Sequence, residues 1–336
     1  AHDNTAVGKN ALSATTTGSE NVGIGVSALD SNTTGFLSCA VGFQALKNNT
    51  SGYRNTALGG YAQHGTTTGS CNTSLGYLAL GNNTNTGNDN ISIGFWSMVT
   101  NTTGCRNVGV GASTLDANTT GDDNTAIGFE ALGANTTGYQ NIAIGRNALG
   151  SNTTTLNNVA IGHRALEDST VSSMVAVGAQ ALQQNTTGAD NNAVGYQALN
   201  ANTTGGQNVA LGHQALAANT TGSANIAIGA FALDASNGDS NVVIGYNALT
   251  ANTTGAQNIA IGRAALSSNT DKSGTVAIGF EALQDATDGA YAATAVGHRV
   301  LKDLTTGEYN TGMGRDAMLA MTTGNRSVAI GFQALS

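Results

Sequence analysis

The fold that this sequence predicts is all-β, a parallel β-solenoid of 20 coils of about 17 residues, and three observations predict it. A single phrase, N-x-A-[IV]-G-x-x-A-L-x-x-N-T-T-G-x-x, returns 20 times, with its first glycine at Gly8, Gly25, Gly42 and onward to Gly331. An aliphatic residue stands one place before that glycine and usually Val, Ile or Thr three places before it, the alternation of a short strand. Gly, Asn and Thr, all poor helix formers, recur in every period and rule against a helix-turn-helix repeat. Repetition at a fixed short period is the sequence signature of stacked architectures.

Each part of the phrase has a reason. The residue before the glycine is aliphatic in all 20 copies (Val7, Ile24, Val41, through Ile330). Two places earlier stand residues such as Val22, Ile142 and Ile226. Four places after the glycine Leu occurs in 17 copies, with Gln63, Met98 and Met318 as exceptions. Asn-Thr-Thr-Gly then predicts a turn, because Asn and Gly tolerate left-handed backbone. Seventeen residues accommodate two strands of about five residues and two turns. Four intervals of 16 or 18 residues are slips that a turn absorbs. In a stack of such coils each residue lies on its own counterpart. The first Thr of the turn, present in 18 of 19 turns with Asn237 as the exception, therefore predicts a hydroxyl ladder. Coils about 4.8 Å apart would make a rod on the order of 100 Å. Residues 1–336 are expected to form one continuous array, uncapped at both ends and without linker or second domain.

About three inward apolar side chains per coil are little burial for so much ordered backbone, which points to self-association. Between the two aliphatic positions sits Ala in 14 copies, Gly in three and Ser in two, with Val243 alone larger. A uniformly small position on the opposite strand face predicts close approach of another surface: either a second chain or a tight second layer within the coil.

The phrase resembles the head repeats of trimeric autotransporter adhesins. It is more similar still to the N-T-A-x-G-x-x-A-L-x-x-N-T-T-G arrays of phage tail fibres and related bacterial surface proteins. The likeness covers all 20 copies, although the coil here is longer than in adhesin heads and carries the NTTG turn. It implies a left-handed β-roll, a homotrimeric or otherwise self-associated fibre, and a role in attachment at a cell surface or virion.

Little in the sequence points to catalysis or ligand chemistry. Charged residues are 10% of the chain and the net charge is −8, with the basic residues spread out, so nucleic acid is not an expected partner. No apolar run is long enough to span a membrane. Cys39, Cys71 and Cys105 lie about two coils apart in succession, beyond disulfide reach within one chain; they are either free buried thiols or bridges between chains. His163, His213 and His298 share one phase but are coils apart, as are Glu130 and Glu281. Asp89, Asp122, Asp123 and Asp190 lack a calcium-binding phrase. No catalytic set, metal site or cofactor is expected. The aromatics after the phase glycine (Phe43, Tyr77, Phe95, Phe129, Tyr196, Tyr246, Phe280, Phe332) suit either contacts between chains or a platform for sugar rings, with cell-surface glycans as a candidate partner.

Asn32, Asn49, Asn101, Asn118, Asn135, Asn152, Asn185, Asn202, Asn219 and Asn252 all begin N-T-T or N-T-S sequons, which would be exposed glycan acceptors along one edge. The leading expectation is a non-enzymatic, extracellular adhesive fibre. A self-assembling filament with a mechanical or matrix role is the alternative. Ice binding through the Thr ladder and a glycan-degrading tailspike are further alternatives.

Overall fold

A computed structural model describes residues 1–81, 84–287 and 292–336. Two compact units divide the chain, Ala1–Ser173 and Met174–Ser336. Among the described residues each is a parallel β-solenoid with ten three-residue strands and no helix. Successive strands pair in parallel and in register: Thr125, Ala126 and Ile127 stand beside Ile142, Ala143 and Ile144. Val209, Ala210 and Leu211 in the second unit stand likewise beside Ile226, Ala227 and Ile228. The one-coil repeat is thus the stacking unit, as the phrase predicts.

The interior of the coil differs from the expectation in two ways. There is one strand of three residues per coil, not two of about five. The remainder is a chain of turns, seen in residues 128–135. Ala131 N donates to Gly128 O (3.4 Å), Gly133 N to Glu130 O (3.3 Å) and Asn135 N to Leu132 O (3.1 Å). Glu130 (φ 54°) and Leu132 (φ 51°) hold the third places of the first two turns in the left-handed region. That is the type II arrangement, normally given to Gly or Asn. A leucine there costs about 1–2 kcal/mol, while complete burial of its side chain returns about 1.5–3 kcal/mol. Leu132 is fully buried, as are its counterparts Leu149 and Leu166, so burial wins over backbone preference.

The strand faces are also reversed. The small middle residue points inward: Ala126, Ala143, Ala160 and Val243 are completely buried. The aliphatic residues on either side point outward; Leu58 is 47% and Leu211 46% exposed. Of the two readings of the small position, the second layer within the coil is correct. Leucine and alanine of the turn chain press closely against it: a methyl group added at Gly23 would lie 3.2 Å from Leu12 Cγ and 3.3 Å from Ala28 O. Local volume swaps show the tightness. Val300 replaces the usual turn alanine, and Gly312 in the next coil lacks the methyl group that would lie 2.5 Å from Val300 Cγ1.

Two columns of buried asparagine complete the core. Asn124 Nδ2 donates to Asn107 Oδ1 (3.1 Å) and to Gly138 O (2.8 Å). Its Oδ1 accepts from Asn141 N (3.0 Å) and Asn141 Nδ2 (3.1 Å). The turn asparagines form the second column, in which Asn118 Nδ2 donates to Asn101 Oδ1 (2.8 Å) and Gly121 O (3.1 Å). Each amide satisfies backbone groups that a thin coil could not otherwise pair. Asn124→Leu therefore leaves several buried groups without partners. A destabilisation of about 3 kcal/mol is expected, read as a lower denaturation midpoint of the first unit.

Candidate interaction surface

The outward residue before the phase glycine builds an aliphatic column in each unit, beside a second outward column in which Val and Ile mix with Thr. In the first unit Ile24, Leu58, Leu75, Ile91, Ile127, Ile142 and Ile161 are all exposed on them. In the second, Val194, Val209, Leu211, Ile226 and Ile244 are exposed in the same way. Coil register, not tertiary folding of distant segments, aligns them. The residue after the phase glycine borders these columns and adds aromatic rings. Tyr77 and Phe95 stack at 5.9 Å, Tyr196 and His213 at 5.3 Å, and Phe280 and His298 at 5.0 Å. Phe95 is 50% exposed. Scattered exposed aliphatics are ordinary, but a face repeated on every coil exceeds what a monomer's surface normally leaves to water.

The first turn threonine makes the expected ladder, and the acceptor is backbone. Thr33 Oγ1 donates to Thr50 O (2.9 Å), Thr102 to Thr119 O (2.8 Å) and Thr203 to Thr220 O (2.9 Å). These hydroxyl protons are committed along the stack.

The sequon asparagines lie elsewhere than expected. Asn32, Asn49, Asn118, Asn135, Asn152, Asn185, Asn202, Asn219 and Asn252 are wholly buried, and Asn101 is 1% exposed. Their nitrogens donate inside the coil, as Asn202 Nδ2 does to Asn185 Oδ1 (2.6 Å) and Gly205 O (2.9 Å). The expectation of ten exposed acceptors is corrected, because the turn turns its amide inward to pair the core. A glycan on any of these nitrogens would have to be added before its coil closed, and would then occupy the place of the ladder.

Cys39, Cys71 and Cys105 are free and half-buried, rather than fully buried. Cys39 lies on the outward strand column. His163, His213 and His298 are exposed. Among the described residues no group of three His, Cys, Asp or Glu side chains is placed to hold a metal ion, and no helix is long and apolar enough to cross a membrane.

Charged groups meet in small clusters. Arg106 Nε donates to Asp123 Oδ1 (2.6 Å) in the first unit. In the second, Asp316 is buried between Arg299 (2.9 Å) and Arg315 (3.3 Å). The hydrogen bond from Arg299, joined by the charges of both guanidinium groups, holds the Asp316 carboxyl below its ordinary range. Its stabilisation is therefore complete above the unfolded-state value near 4 and is lost as pH falls through the lower folded-state value. Unfolding in that acidic window is expected to take up more protons for the wild type than for Asp316→Asn, by at most one. Comparing the pH dependence of the two denaturation midpoints checks this.

Open grooves run along the flank between the second and fifth positions after the phase glycine. One of about 350 Å³ in the first unit is lined by Asp116, Glu130, Gly133, Asn147 and Gly150 among others. Two more lie side by side in the second unit, of about 350 and 400 Å³, sharing Tyr246, Asn247 and Thr250. Burial raises the Asp116 and Asp234 carboxyls above their ordinary range.

No protein-family model matches the chain, and no curated protein matches it.

Proposed function

We propose that this protein is a non-enzymatic structural and adhesive fibre of the extracellular surface, of a cell or a virion, that works by associating with copies of itself. The supporting observation is the outward aliphatic face carried coil after coil in both units. Water leaves such a face when a second copy covers it, at about 25 cal/mol per Å² of apolar area. Coil register favours the same chain as the partner, because identical columns match one another along their full length. Three chains side by side is the arrangement that the likeness to adhesin-head and tail-fibre repeats supports. Attachment is the role that goes with it.

Sedimentation equilibrium of the purified chain tests the reading. A discrete trimer or other small oligomer at micromolar concentration is expected. A chain that stays monomeric to about 100 μM, a concentration at which even a Kd of that order would show, would sink it. Indefinite filaments under the electron microscope would favour the matrix role over the discrete fibre.

A further inference from the structure

We propose that the second unit carries a binding groove for an uncharged oligosaccharide, bounded by Phe231 and Asp234 at one end and by Glu281 and Gln284 at the other, with Tyr246 at its centre. The inference rests on the adhesive-fibre reading and gives it a ligand class and a place. Two adjacent cavities form the groove, and both are lined by Tyr246, Asn247 and Thr250. Tyr246 is 49% exposed, and its ring lies 6.2 Å from that of Phe231 at 85°, so about half of its surface is open to a ligand. Arg263 lies over the ring of Phe280 at 5.6 Å and brings donors to the same wall.

The polar groups are of the kind that hydroxyl-rich rings require. Gln284 Oε1 is buried in the groove wall and accepts no hydrogen bond. Asp234 is half-buried, and burial raises its carboxyl. Glu281 meets Lys302 Nζ through Oε2 (3.1 Å), which leaves its other oxygen to accept. Acceptors at both ends, amide and hydroxyl groups between them and an aromatic platform beside them suit a chain of sugar hydroxyls. Arg263 and Lys302 balance the two carboxylates, and a wall without net charge suits an uncharged chain better than an anionic polymer. The equivalent groove of the first unit has carboxylates and glycines but no aromatic ring in its lining. The repeat thus supplies the trough, and substitutions within it supply the specificity.

Asp234 and Glu281 belong to coils three periods apart, about 14 Å at 4.8 Å per coil. Glycoside cleavage needs its two carboxyl groups within roughly 5–10 Å, so this pair would hold a sugar chain and leave it intact. A coil spacing so near the length of one pyranose ring lets successive rings meet successive coils.

The test is titration of the full chain against neutral oligosaccharides of roughly three to five rings, the span of the groove at about 4.8 Å per coil. β-1,4-linked glucose and N-acetylglucosamine oligomers and a neutral glycan array serve as probes, with a sulfated oligosaccharide as the anionic comparison. Saturable binding of at least one neutral probe is expected. Tyr246→Ala should weaken it about tenfold or more, as loss of an aromatic anchor does, and Gln284→Ala should weaken it less. Tyr196→Ala, at the same position of a coil outside the groove, should leave it unchanged. Binding of no neutral probe, preference for the sulfated one, or equal loss in Tyr196→Ala and Tyr246→Ala would overturn the inference. Sedimentation of the same samples separates the two readings. An oligomer that binds no sugar removes the groove alone; a monomer that binds sugar removes the fibre alone. Far-UV circular dichroism checks that each variant is folded.

Discussion

Gly145→Ala is expected to lower the stability of the first unit by roughly 4 kcal/mol or more, combining backbone strain with steric overlap. The backbone of Gly145 sits at φ 134°, a region that side-chain-bearing residues avoid. Its added Cβ would also lie 2.4 Å from Gly162 O and 2.6 Å from Gly162 C. Those atoms are main chain of the next coil, and Gly162 O already accepts from Ala165 N, so neither side can yield. Gly133→Ala is the matched control. Gly133 is outside the positive-φ set, and the nearest atom to its added Cβ is Glu130 O at 3.4 Å. That change should be neutral or stabilise by about 0.5–1 kcal/mol through the unfolded chain. Urea midpoints of the two variants decide the matter. Equal effects would mean that the phase glycine is not the point of close stacking.

Replacing Ile142 and Ile144 together by lysine is expected to weaken self-association at least a hundredfold, while Thr137→Lys leaves it intact. Ile142 and Ile144 lie on either side of buried Ala143 and project outward. Lysines there cost little in a lone chain, whose solvent already reaches Ile142, but would carry two charges per copy into a covered apolar face. Desolvating them without partners costs several kcal/mol. Thr137 lies exposed on the turn edge, away from the strand columns. Sedimentation of each variant, with circular dichroism to confirm the coil, measures the result. Unchanged association of the double variant would remove the aliphatic face as the interface.

These two experiments mark what could be read in advance and what could not. The 17-residue stacking unit, the parallel register and the Thr33-type hydroxyl ladder were legible, because a repeat that stacks on itself writes the same demand into every copy. The phase glycine was legible as a marker, though not its reason: the contact between Gly145 and Gly162 joins residues a full coil apart. The second strand expected in each coil is replaced by turns such as residues 128–135, where buried Leu132 accepts left-handed backbone against its local preference. The sequon asparagines were misplaced for a related cause. Asn202 suits an exposed turn by its own chemistry, and the Asn185 oxygen of the neighbouring coil, with Gly205 O of its own turn, makes the interior a better place for it.

By itself, the sequence determined that this chain is a stack of like coils, since period and residue identity are properties of the string. Which face of each strand turns inward was decided only in three dimensions. Alternation distinguishes two faces but assigns neither, and the narrow coil has room for Ala143 beside Leu132 and its counterparts but not for Ile142 or Ile144. Volume inside the coil therefore sends the larger hydrophobic residues to the surface, where a partner copy can cover them.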